Sequence, residues 1–162
     1  MTKPHESPLR IRRAEASDRT EWMRMRAALW PEYTPENHRN EMDEYLDEKS
    51  AAAFVAERPD GGLAGFVEAT IRPYADACDT SPVGYVEGWY VDPDVRLSGV
   101  GRRLVRTAER WARGGGCSEM GSDCLVENEG SLRAHLAIGY EERERLIHFR
   151  RWLARPQPRP RA

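Results

Sequence analysis

A strand-turn-helix unit dominates the middle of this sequence. Tyr85 to Val91 is rich in β-forming residues, Pro93 ends the run, and a glycine-bearing turn follows, Arg96-Leu97-Ser98-Gly99-Val100-Gly101. Behind it Val100, Leu104, Val105, Ala108, Trp111 and Ala112 recur at helical spacing until Gly114, Gly115 and Gly116 stop the helix. Glycines at a helix entrance let the backbone approach a ligand, and the unpaired first-turn amides with the helix dipole form an anion site suited to a pyrophosphate. The spacing is neither G-x-x-x-x-G-K-[ST] nor G-x-G-x-x-G, so both of those phosphate loops are excluded. Taken alone, the turn reads equally as a plain loop ahead of a surface helix.

The flanking segments place this unit in a mixed α/β domain of order β-α-α-β-β-β-α-β-α-β. Leu9, Ile11 and Arg13 begin an alternating strand, and Asp18 is positioned to cap a helix carrying Trp22, Met25 and Leu29. Thr34 and Pro35 start a second helix with Met42, Tyr45 and Leu46 on one face. Its other face is acidic: Glu32, Glu36, Glu41, Asp43, Glu44, Asp47 and Glu48 are opposed only by Arg39. Ala52 to Glu57 and Leu63 to Arg72 read as strands around Pro59-Asp60-Gly61-Gly62, a hairpin signal. A loop from Pro73 to Pro82 precedes the central unit; a short strand at Ser118 to Asp123, a helix from Asn128 to Ile138 and a last strand at Arg145 to Leu153 follow it.

At 162 residues with 40% apolar content the chain suits one domain with a real core, here residues 8–153, and the remaining Pro/Arg-rich 154–162 read as a disordered tail. A nucleic-acid-binding arm is the alternative for that tail. The 27 acidic against 25 basic residues give no electrostatic case for nucleic acid or an anionic membrane as the main partner. No apolar stretch approaches the roughly 20 residues needed to span a bilayer. The N-terminus lacks an apolar signal-peptide core, and Cys78, Cys117 and Cys124 are odd in number without a close metal-ligand pair. The expectation is a reduced, cytoplasmic protein with no metal.

An Arg-x-x-Gly-x-Gly turn directly after a strand, then Asn128-x-x-Ser131 and Gly139-Tyr140, resembles the GCN5-related N-acetyltransferase (GNAT) superfamily. The resemblance covers essentially the whole chain. It implies the GNAT fold, a mixed, mostly antiparallel sheet splayed at its central strands with flanking helices, and acetyl-CoA as co-substrate. Narrower blocks resemble the aminoglycoside 6'-N-acetyltransferases: Trp22 with Leu29-Trp30-Pro31, Tyr74 with Cys78-Asp79-Thr80-Ser81-Pro82, Val86-Glu87-Gly88, Arg110-Trp111 with Gly116-Cys117, Glu119-Met120-x-Ser122-Asp123, Glu127-Asn128, and Gly139-Tyr140-Glu141-Glu142 with Glu144-Arg145. That branch implies direct attack of an aminoglycoside 6'-amine on the thioester, antibiotic resistance as the role, and a homodimer. A polyamine, another small amine or a protein amine as acceptor, and a non-catalytic acyl-CoA-binding module, are the rival readings.

Acetyl transfer to an amine needs carboxylates to bind an ammonium, a base for its proton, a polarised carbonyl and a proton for the departing thiolate. Glu87 is the first candidate, in the strand feeding the turn, with Trp89 and Val91 following at same-face spacing. Asp123 is the second, at the end of a neighbouring strand where a parallel pair would part. A solvent-facing strand glutamate and a turn aspartate are the plain alternatives. The resemblance implies acceptor contacts from Trp22, Tyr74, Glu87, Asp123 and Glu144, although Trp22 reads equally as core. It also implies carbonyl polarisation by a backbone amide of Trp89, Tyr90 or Val91, pyrophosphate contacts from Leu97, Ser98, Gly99, Val100, Gly101 and Arg102 with charge from Arg96, Arg102 or Arg103, and a pantetheine contact at Asn128, which would serve equally as a helix cap. The pattern departs from the superfamily at the acid: His135 stands where many members have a tyrosine, and Phe149 where close relatives often do. His135, water or the departing amine proton could serve. The acidic second helix is either a collector of cations or a solvated face.

Overall fold

The computed structural model describes residues 9–154. The contacts divide them into two compact units, breaking after Leu125.

The first unit is built on a five-stranded sheet in sequential order: β1 (Arg10–Arg13), β2 (Ala51–Glu57), β3 (Leu63–Arg72), β4 (Val83–Val91) and β5 (Met120–Ser122). All neighbours are antiparallel except β4 and β5, which run parallel. That mixed, mostly antiparallel sheet is the architecture expected. The parallel ladder pairs only Gly84 with Met120, Tyr85 with Gly121 and Val86 with Ser122. Beyond Val86, β4 runs on through Val91 with no sheet partner on that side among the described residues. This is the expected splay, and it leaves one edge of β4 open.

Helices α1 (Arg19–Leu29) and α2 (Pro35–Asp47) cover one face of the sheet. Trp22, Met25, Met42 and Tyr45 pack there against Ala51, Ala53, Val55 and Phe66, the alternate residues of β2 and β3. Thr34 caps α2 by accepting from the Asn37 amide at 3.1 Å, and Pro35 occupies the first turn. Helix α3 (Val100–Gly114) covers the opposite face with a buried stripe of Val100, Leu104, Val105, Ala108 and Ala112. A Cβ on Gly65 would strike Leu104 at 3.2 Å and one on Gly84 would strike Ala112 at 2.8 Å, so α3 lies close on β3 and β4.

Two local expectations change. Asp18 does not cap α1; its carboxylate accepts from both terminal nitrogens of Arg12, at 2.7 and 2.8 Å, and from the Glu15 amide at 2.8 Å. Arg12 on β1 outcompetes the helix amides because a bidentate charged pair is stronger than a neutral cap. A break in register between Glu68 and Ala69 leaves Glu87 as the extra residue of a β-bulge. The bulge cancels the same-face relation of Glu87 and Trp89. Trp89 lies opposite Val67 and contacts α3, whereas the Glu87 carboxylate turns to the α1–α2 face and bonds Thr70.

The second unit contains α4 (Glu129–Ala137), capped by Asn128 through a 3.0 Å bond from the Ser131 amide. The strand expected at Arg145 to Leu153 is not formed. Alternation specifies which side chains share a face, but a strand also needs a neighbouring edge, and none pairs with this segment among the described residues. Leu146, Ile147, Phe149, Trp152 and Leu153 are exposed there. No helix is long and apolar enough to cross a membrane among the described residues. The tail expectation falls almost wholly on 155–162, outside the described residues.

Candidate active site

The residues with chemistry gather on the α1–α2 face where β3, β4 and β5 meet. Glu68, Thr70 and Arg72 alternate along β3, so all three face the same way. The bulge delivers Glu87 beside them. Its carboxylate accepts from the Thr70 hydroxyl, from Arg72 Nη2 at 2.7 Å on each oxygen, and from Arg72 Nε at 3.1 Å. The Arg72 guanidinium stacks over the Tyr85 ring at 3.8 Å, and the Tyr85 hydroxyl donates to Asp123 at 2.7 Å. Glu87, Arg72, Tyr85 and Asp123 therefore form one continuous chain. Burial opposes the Arg72 charge, but the bond and charge of Glu87 prevail and hold its pKa above the ordinary value. Burial, then the bond to Asp123, push the Tyr85 phenol up, so it stays a donor at physiological pH.

Beneath this surface lies a second network that residue patterns alone did not reveal. Glu68 is fully buried; one oxygen accepts from Trp22 Nε1 at 2.8 Å and from Arg26, and the other has no hydrogen-bond partner among the described residues. Arg26, also fully buried, pairs with Glu41 on α2, lies 4.7 Å from the Trp30 ring and donates to His38 Nδ1 at 3.3 Å. Burial pushes the Glu68 carboxyl up to about 7 against the pull of Arg26. Trp22 is 0% exposed, so in this conformation it supports the site from below instead of touching a ligand. Its indole N–H needs a buried acceptor, and Glu68 supplies it. Tyr74, 76% exposed on the loop after β3, is accessible to a ligand. Two carboxylates of the acidic helix are already neutralised, Glu41 by Arg26 and Asp43 by Arg19, while Glu36, Glu44, Asp47 and Glu48 stay exposed.

The glycine-bearing turn follows the open end of β4. Its base is fixed by Asp92, which accepts from Arg24 at 3.0 Å on each oxygen and from Arg58 at 3.1 Å, while its amide donates to the Ala64 carbonyl at 2.8 Å. Arg96 Nε donates to the Val91 carbonyl at 2.9 Å, so this arginine holds the turn to the strand end. Leu97 and Gly99 both have left-handed backbone, φ +62° and +84°. For glycine that costs little; for Leu97 it is local strain of the kind found at ligand clamps. The first α3 bond runs from the Arg103 amide to the Gly99 carbonyl, so the Val100 and Gly101 amides precede any partner within the helix. A Cβ on Gly101 would lie 2.8 Å from the Trp89 ring, so α3 is drawn against β4 at this point. Left-handed backbone, amides ahead of the α3 ladder and a strand that runs on past the β5 ladder together fit a diphosphate followed by an extended arm.

In the second unit, His135 Nδ1 lies 2.8 Å from the Ser131 carbonyl and 3.3 Å from its hydroxyl, with the ring edge-on to Tyr140. A carbonyl accepts only, so Nδ1 carries the proton of the neutral ring, which then donates from its other nitrogen only as imidazolium. Asn128 is the cap of α4, and Glu144 is exposed. No group of three or more His, Cys, Asp or Glu able to hold a metal ion occurs among the described residues.

Comparison with known proteins places this geometry. Residues 22–140 match the family described as Acetyltransferase (GNAT) family. Aminoglycoside N(6')-acetyltransferase type 1 of Klebsiella aerogenes is 45% identical over 148 residues, 90% of this chain and 97% of the relative. The enzyme of the same name from Stenotrophomonas maltophilia is 40% identical, covering 86% of this chain and 91% of its own. The solved structure of AAC(6')-Iy in complex with the bisubstrate analog CoA-S-monomethyl-acetylneamine superposes with a TM-score of 0.85 at 37% identity, over 90% of this chain and 99% of that one. With a splayed sheet, a left-handed turn entering α3 and this likeness along nearly its full length, the chain belongs to the GNAT acetyltransferase family.

Proposed function

We propose that this chain transfers the acetyl group of acetyl-CoA to the 6'-amine of aminoglycoside antibiotics. The observation that carries the reading is the pair of carboxylates, Glu87 and Asp123, set on one face beside the open edge of β4. It is supported by relatives of that name, similar over nearly their whole length. A primary ammonium needs a carboxylate to hold it and a base to take its proton, and Glu87 serves both purposes here. Asp123 and the exposed Tyr74 supply further contacts to a polycation, and Trp22 holds the floor through Glu68. Bound acetyl-CoA supplies the activated thioester. Along β4 beyond the β5 ladder, amides within Trp89–Val91 are donors for a carbonyl oxygen, and those of Leu97–Arg102 are donors for the diphosphate. Water or the released amine proton suffices for the thiolate.

The whole of 8–153 works as one acetyltransferase domain, a reading supported by a family match that runs across the division at Leu125. The protein acts in the cytoplasm as a homodimer, consistent with the exposed apolar side chains Leu146, Ile147, Phe149, Trp152 and Leu153. A steady-state panel tests the acceptor: thiol release from acetyl-CoA with kanamycin or tobramycin, and its absence with spermidine, is expected. Release with spermidine alone would overturn the substrate class.

A further inference from the structure

We propose that Arg72 is an internal stand-in for the acceptor's ammonium, which an incoming ammonium displaces from Glu87, and that it thereby weakens the binding of every acceptor that uses this carboxylate. The inference rests on the acceptor reading above.

Glu87 is engaged on both oxygens by the Arg72 guanidinium, at 2.7 Å each, with a further bond from Nε and one from Thr70. A carboxylate bonded in this way to a permanently charged group is a weaker partner for a second cation and a weaker acceptor of its proton. As it stands, the base is held back. The same guanidinium lies on the Tyr85 ring whose hydroxyl holds Asp123, so one arginine occupies the ground between both carboxylates assigned to the acceptor.

This mask is movable. The Arg72 side chain is 38% exposed and Glu87 23%, so the pair is wet, and its stem has rotatable bonds leading to solvent. Displacement exchanges one cation for another at Glu87 and loses the stacking on Tyr85. That cost is common to every acceptor that pairs with Glu87, so removal of Arg72 tightens a monoamine and a polyamine alike. A purely supporting arginine, which only orients Glu87, behaves differently: without it kcat falls and acceptor affinity does not improve.

The test is calorimetry on the full chain without acetyl-CoA, comparing wild type with Arg72→Met, which keeps an apolar stem over Tyr85, and Arg72→Lys. The probes are kanamycin and a methyl 6-amino-6-deoxyglucoside carrying one amine. In Arg72→Met the monoamine and kanamycin should each bind about tenfold more tightly; Arg72→Lys should fall between that variant and wild type. Unchanged or weaker binding of both probes, with kcat lowered, overturns the proposal. Should Arg72→Met fail to fold, the Arg72 Nε–H resonance of the wild type decides: it should shift or broaden on addition of kanamycin, and an unmoved resonance in the saturated enzyme overturns the mask. Absence of kanamycin binding to wild type and variants alike would overturn the acceptor reading, and this inference with it.

Discussion

Replacing Glu68 by glutamine probes the buried network through its dependence on pH. Glu68 lies opposite Ala53 and Gly88 in the sheet, fully buried, with Trp22 and Arg26 bonded to one oxygen and nothing bonded to the other among the described residues. The charged or titratable groups around it are Arg26 on α1, Glu41, His38 and Tyr45 on α2, and Glu87 on β4. Burial raises its carboxyl from an ordinary 4.5 to about 7, the attraction of Arg26 notwithstanding. Such a shift corresponds to about 3 kcal/mol favouring the protonated form in the folded state. Between those two pH values the folded chain holds a proton that the unfolded chain has released, so stability from this residue is full below pH 4.5 and falls as pH rises through 7. Glutamine has the same shape, accepts from Trp22 and does not titrate. The stability of Glu68→Gln relative to wild type should therefore climb by about 3 kcal/mol from about pH 4.5 to about pH 8. Urea unfolding of both proteins across that range, at constant ionic strength, measures the difference; His38 titrates in both and largely cancels. A flat difference would refute the raised carboxyl. A variant that loses ground to wild type as pH rises would show that the attraction between Glu68 and Arg26 exceeds the cost of burial.

Other parts of the site have separate readouts. Glu87→Gln should lower kcat by about 10²- to 10³-fold through loss of the base, with acetyl-CoA affinity by calorimetry unchanged; an equal loss in both would deny Glu87 its role. Gly99→Val places a β-branched residue at φ +84° and should weaken acetyl-CoA binding by tenfold or more while kanamycin binding persists. The carboxyl of Asp92 is opposed by burial, but Arg24 and Arg58 prevail and hold it below its ordinary 3.8. Stability from Asp92 is therefore present above pH 3.8 and lost as pH falls through its folded value, and Asp92→Asn should show a shallower loss in urea midpoints below pH 4 than wild type.

What the sequence made legible was local. Leu63 to Arg72 is a strand over its expected bounds, and α3 follows its apolar stripe, because in both a pattern of side chains decides which face is buried. The turn at Arg96 to Gly101 was legible for a related reason: glycine at φ +84° is a requirement of the backbone at that residue. Asp18 misled because a cap is the nearest use for an aspartate before a helix, and its real partner, Arg12, belongs to a different element. Trp22 and Glu68 are 46 residues apart, and neither residue signals the other.

The bulge at Glu87 explains why the site itself was only half visible. In a regular ladder Glu87 and Trp89 would share a face, and the carboxylate would be driven toward α3, among Val67 and the apolar side of that helix. An extra residue in β4 separates the two duties: Trp89 packs against Gly101, where the turn needs α3 held close, and Glu87 joins Thr70 and Arg72 on the opposite face. The signal lay in β3, where Glu68-x-Thr70-x-Arg72 sets three polar groups along one face of an otherwise apolar strand. A polar row that starts at a buried glutamate and ends at a half-buried arginine requires partners, and the carboxylate able to meet it from β4 is Glu87. Taken together, the polar row on one strand and the lone glutamate on the next imply the change of register that neither implies alone.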